Sequence, residues 1–173
     1  MPSRRKNCKM SVLPVLTYPH PFLKEKCPET DLSAPDLKVR LQDLRDTMEA
    51  HPGCVGLAAP QVGLGLRALV VDTSRSRREN ENHGFLCLVN PQVLEASQWR
   101  YSREGCVSFP YLLANVKRAQ KLRVKAFDEK GEPIELTAVG FEAVALQHEM
   151  DHLDGILFLD RIRSSKDLVE RRT

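Results

Sequence analysis

No apolar run in this chain approaches the ~20 residues that a helix needs to span a bilayer. The N-terminus also lacks an apolar stretch followed by a cleavage site, so no secretory signal is expected. The five cysteines (Cys8, Cys27, Cys54, Cys87 and Cys106) are odd in number and show no paired spacing, which argues against a disulfide framework. Together these absences point to a cytoplasmic protein with reduced thiols. Charge of one sign is lacking too. The net charge is only +3, and much of the basic excess sits at the ends, in Arg4, Arg5, Lys6, Lys9, Arg171 and Arg172. No nucleic-acid motif accompanies those ends, so sequence-specific nucleic-acid binding is not expected. A short basic start is also compatible with the remnant of an organellar transit sequence. Neither internal repeats nor low-complexity segments occur.

What is present suits a single domain. At 173 residues, with 42% apolar and 28% charged side chains, the chain can bury a core without help from disulfides or partners. Residues 1–10 read as a basic, disordered extension, 11–163 as the folded domain and 164–173 as a short tail. Leu37, Leu41, Leu44 and Met48 recur at helical spacing, which predicts a helix over 34–50 stopped by His51-Pro52-Gly53. Strands are expected over 66–72, 85–89 and 93–95, around Trp99–Tyr101, and over 122–127 and 134–137. The last two flank a turn at Asp128-Glu129-Lys130-Gly131. Residues 73–84 read as a polar surface loop. Strands do not alternate with helices, so the expected class is α+β, with short, mostly antiparallel strands around a central helix.

That helix, expected over 141–153 with Gly155 just past its end, carries the most informative motif: His148-Glu149-Met150-Asp151-His152. H-E-x-x-H spacing sets both imidazoles on one helix face, one turn apart, where they can hold one metal ion. Glu149 then lies beside the ion as a carboxylate able to handle protons of water. Phe141, Val144, Ala145, His148 and His152 share a helical stripe, so the histidines continue an apolar face and need partners there.

A catalytic site of this type needs a third protein ligand. Cys106, in Glu104-Gly105-Cys106-Val107-Ser108, is a candidate, although a small buried hydrophobe fits the same spacing equally well. In Cys54-Val55-Gly56-Leu57-Ala58-Ala59-Pro60-Gln61 the small residues permit close approach, and Gln61 is an uncharged donor suited to an oxyanion. A tight structural loop is the other reading of that segment.

Taken together, C-V-G-L-A-A-P-Q, E-G-C-V-S and Q-H-E-M-D-H, in this order, resemble the three motifs of the peptide deformylases, over about residues 11–163. The resemblance implies removal of the formyl group from the N-terminal formyl-methionine of newly made polypeptides. It implies Cys106, His148 and His152 as metal ligands, Glu149 as general base and acid, and Gln61 with the Val107 backbone N–H as oxyanion donors. Gly56 would contact the substrate backbone, and Val55, Val144 and Ala145 would line the methionine pocket. Glu104 and Arg118 would form a charged pair bracing the cysteine loop. The implied ion is one Fe²⁺ per chain, with Zn²⁺, Ni²⁺ or Co²⁺ able to substitute.

Two departures stand out. Cys54 replaces the usual first glycine, which would place a thiol near the pocket mouth. Bacterial members also carry a longer C-terminal helix that docks on the ribosome. Only Ser164 to Thr173 follow the domain here, which puts that recruitment in question. The readings that compete are a metallopeptidase sharing H-E-x-x-H and a catalytically impaired, deformylase-like metal- or peptide-binding protein.

Overall fold

Leu37, Leu41, Leu44 and Met48 do lie on one helix face, and that face is buried in α1, Leu37–Ala50. The computed structural model describes residues 11–171; the expected basic extension, 1–10, lies outside them. Helix α1 starts at Leu37 rather than Ala34 because the residue before Pro35 is biased away from helical backbone. The strands are β1 (Gly56–Ala58), β2 (Ala68–Val71), β3 (Leu86–Cys106), β4 (Phe109–Phe127), β5 (Pro133–Val139) and β6 (Leu168–Glu170). Every pairing is antiparallel, in the order β1-β2-β3-β4-β5, with β6 added to β4. The fold is α+β, as expected.

Three expected strands merge into β3. Register shifts between Val89 and Gln92 and between Val93 and Glu95 break its alternation, and Asn90 and Gln98 adopt positive φ (52° and 61°). Strand β4 likewise begins at Phe109, far ahead of the expected Leu122. Strands β3 and β4 thus form one long hairpin, with Cys106 paired to Phe109 across a two-residue turn, Val107-Ser108. The segment read as a tail contains β6, whose Val169 lies opposite Leu113.

The second helix, α2, spans Gly140–Leu153 and packs against β4, β1, β2 and β5. Gly155 follows with φ 67°, and a β-carbon there would collide with the Lys24 carbonyl. The helix differs from a one-sided stripe. Phe141, at its start, is 40% exposed, whereas Glu142 through Leu153 are all buried. A helix buried all round must satisfy its polar side chains with protein partners. Gln147 does so by bonding both the N–H and the carbonyl of Ala119 in β4.

Candidate metal centre

The hairpin tip brings Cys106 to α2. Its Sγ lies 3.4 Å from Nε2 of His152, and the donor atoms of Cys106, His148 and His152 all fall within 4.8 Å of one another, all buried. Bond lengths to a tetrahedral ion predict about 3.5 Å between sulfur and nitrogen donors. Glu104 occupies Nδ1 of His148 at 2.7 Å and leaves Nε2 facing the cluster. Among the described residues, His152 Nδ1 and Glu149 Oε2 are buried polar atoms with no hydrogen-bond partner. The donor set, one sulfur and two imidazoles with a carboxylate beside them, fits a divalent transition metal.

The other expected residues converge unevenly. Gln61 sits in a 3-10 turn, Ala59–Val62, where Ala58 N–H donates to its Oε1 (2.9 Å). This fixes the amide so that Nε2 points at Cys106 Sγ (3.4 Å) and Ser108 Oγ (3.2 Å). Gly56 backs directly onto the acid: a β-carbon there would stand 2.7 Å from Glu149 Oε1. Val107 adjoins the cluster in the hairpin turn, and half-buried Val55 is held through its carbonyl by the Asp72 N–H (2.8 Å). Val144 is buried one turn before His148, whereas Ala145 packs into the core cluster of Leu146 and Met150.

The Cys54 thiol is not exposed. It is buried with Leu44, Met48 and Leu57, and its thiol donates to the Gly56 carbonyl at 3.0 Å. Burial pushes this thiol up to about 12, so it is inert as a nucleophile.

A chain of alternating charges supports the cluster. Arg118 bonds Glu104 through Nε (2.6 Å) and Nη2 (3.1 Å), and Asp151 through Nη1 (2.6 Å). Asp151 in turn accepts from Arg161, just beyond α2. Sequence reasoning missed the Asp151–Arg161 pair and the bond from His83 Nδ1 to Glu142 (2.7 Å). The only available signal was an aspartate inside the motif.

Burial pushes the Glu149 carboxyl up to about 7, opposed by the His148 charge. Burial also disfavours the His148 imidazolium, but hydrogen bonds with Cys106 and Glu104 override this and raise its pKa well above the ordinary value. His152 moves the other way, lowered by burial and by the His148 and Arg118 charges. Two imidazoles one turn apart are thereby made unlike by the partner that only one of them has.

A family model described as polypeptide deformylase matches residues 12–168. The chain belongs to the polypeptide deformylase family. The peptide deformylase of Desulfotalea psychrophila is 41% identical over 157 residues, covering 91% of each chain. Peptide deformylase 1 of Bacillus subtilis is 44% identical over 153 residues, 88% of this chain and 91% of its own. Among solved structures, the Legionella pneumophila peptide deformylase aligns with a TM-score of 0.81 at 35% identity, covering 91% of this chain and 89% of its own. An Acinetobacter baumannii deformylase crystallised with Met-Ala-Ser aligns at 0.80 and 34% identity, covering 88% and 99%. Deformylases are metal-dependent hydrolases, and the Cys106-His148-His152 cluster is a possible metal site of this one. Among the described residues no helix is long and apolar enough to cross a membrane.

Proposed function

We infer that this chain hydrolyses the N-formyl group of N-terminal formyl-methionine on newly made polypeptides, releasing formate and a free amine. The observation that carries the residue roles is the meeting of three buried donors, the Glu149 carboxylate and the Gln61 amide at one point.

Cys106, His148 and His152 hold the ion, and Fe²⁺ is the ion we assign, with Zn²⁺, Ni²⁺ or Co²⁺ able to take its place. When bound, a divalent ion supplies Lewis acidity that acidifies water and polarises a carbonyl oxygen. The substrate backbone adds along the open edge of β1, where Gly56 presents main chain and no side chain. Val55, Val144 and Ala145 line the pocket for the methionine side chain. Glu149 takes a proton from the attacking water and delivers it to the departing amine nitrogen, the double duty of a carboxylate beside a metal site. Gln61 Nε2 and the Val107 N–H donate to the oxyanion that forms at the formyl carbon, each worth about 3 kcal/mol of the barrier. Glu104 positions His148 through Nδ1, and Arg118 positions Glu104. A thiolate ligand suits the reducing cytoplasm, where we place the reaction.

The test is formate release from a formyl-Met peptide by protein purified without oxygen, with metal content determined on the same sample. Release with iron bound, and none from the acetylated analogue, is the expected result. A loaded site without release overturns the reading in favour of a binding protein, and cleavage of internal peptide bonds in favour of a peptidase.

A further inference from the structure

Away from the metal cluster, the outer side of the β3–β4 hairpin carries a cavity of about 440 Å³ lined by Trp99, Lys117, Asp160, Arg161 and Arg163. We propose that this face binds single-stranded RNA, with a base stacked on Trp99 and neighbouring phosphates held by Lys117 and Arg163. The proposal stands apart from deformylation and does not depend on it.

Three observations carry it. The first is an aromatic that water would not choose: Trp99 is 53% exposed, and Tyr101, two residues along the same strand face, is 56% exposed. Two flat rings side by side on a rigid strand are a stacking platform that accepts any base. The second is the charge around them. Lys117 lies directly across from Tyr101 in the β3–β4 register, and Arg163 also lines the cavity. Neither has an ion-pair partner among the described residues. Arg103, further along the same strand face, bonds only the neutral Asn115. The third is that the one carboxylate of the cavity is already engaged, because Asp160 pairs with Lys24 at 2.6 Å. Arg161 is likewise committed to Asp151. What remains is uncompensated positive charge beside exposed aromatic rings, complementary to a strand of alternating phosphate and base.

Trp99 is the only tryptophan of the chain, so its emission reports on this cavity alone. The experiment titrates the full-length, metal-loaded protein with a uridine hexamer, following Trp99 emission and the anisotropy of a fluorescein-labelled copy. Saturable quenching is expected. A tenfold rise in salt should weaken binding about 25- to 130-fold if two to three phosphates are neutralised. Trp99→Ala should weaken the anisotropy-detected affinity about 5- to 150-fold, the range for loss of one stacked base, and Trp99→Phe should restore most of it. Lys117→Glu with Arg163→Glu should abolish quenching while formyl-peptide hydrolysis is unchanged, which also certifies the fold. Four results would overturn the proposal. They are no quenching, equal response to inorganic polyphosphate, equal loss in a charge-matched Lys38→Glu, Lys130→Glu control, and a response to phosphatidylserine vesicles but not to the hexamer.

Discussion

Helices α1 and α2 have the same length, fourteen residues, and opposite economies of polarity. In α1 the buried face is built from Leu37, Leu41, Leu44 and Met48, its two buried polar residues, Asp46 and Thr47, both have hydrogen-bond partners, and Lys38, Gln42 and Glu49 meet water. Helix α2 has no such division, since everything from Glu142 to Leu153 is buried. It therefore carries Glu142, Gln147, His148, Glu149, Asp151 and His152 where each unpartnered polar group costs about 1–3 kcal/mol. Four of these six find protein partners: His83, Ala119, Glu104 and the Arg118–Arg161 pair. The two that retain an orphaned atom, Glu149 and His152, are both in the candidate site. A scaffold helix hides its apolar side; a chemical helix is surrounded, and the residues it leaves incompletely satisfied are those beside the donor cluster.

The largest difference between the helices should appear on removing the acid. Glu149→Ala is expected to lower formate release by roughly 10²- to 10⁴-fold while metal content and melting temperature hold, the first readable by coupled formate assay and the second by elemental analysis. No residue of α1 should behave this way.

Next comes the buried charge chain. Arg118→Met strands Glu104 and Asp151 and should cost about 3–5 kcal/mol of unfolding free energy in denaturant titration. Its pH signature is specific. Burial raises the Glu104 carboxyl, but hydrogen bonds with His148 and Arg118 overcome this and hold it below the ordinary value of 4.5. Its ionised form thus stabilises the fold fully above 4.5, and that stabilisation is lost as pH falls through the lowered native value. Glu104→Gln should flatten this acid limb in metal-free protein.

On α1, Leu44→Ala removes a fully buried side chain and should cost about 2–5 kcal/mol, with kcat of the remaining folded enzyme unchanged. Smallest of all is Arg45→Ala. It loses a surface pair with Glu49 one turn on, at 2.8 Å, and the stack of its guanidinium over the Phe85 ring at 4.1 Å, and should move stability by about 1 kcal/mol in thermal melts. If Leu44→Ala lowered kcat, or Arg45→Ala unfolded the protein, the division between the helices would fail.

Legibility followed the physics of each element. The span of α2 and its Gly155 cap could be read because a motif and a terminator bracket it. The reach of β3 could not, since its bulges scramble the two-residue period on which strand reading depends. Strand β6 has three residues and a partner more than fifty positions away, too little for any pattern. In the site, His148, His152 and Glu149 announced themselves by spacing. Cys106 stood even with its structural alternative until resemblance named it, and its approach to His152 is a tertiary fact. The Asp151–Arg161 and His83–Glu142 bonds are tertiary as well, between residues whose types carry no local signal. The burial of the Cys54 thiol beside Leu44 and Met48 of α1 is likewise a tertiary fact.

One consequence of the contact between Gly56 and Glu149 concerns how such a protein can change under selection. A ligand pressed against the main chain at Gly56 would ordinarily invite escape by a bulkier residue. Here any added side chain meets the Glu149 carboxylate at 2.7 Å, in a buried site where the acid has little room to step aside. On the role proposed for Glu149, a change at that position would displace the carboxylate, so Gly56 is held to glycine by its neighbour across the site and not by its own backbone.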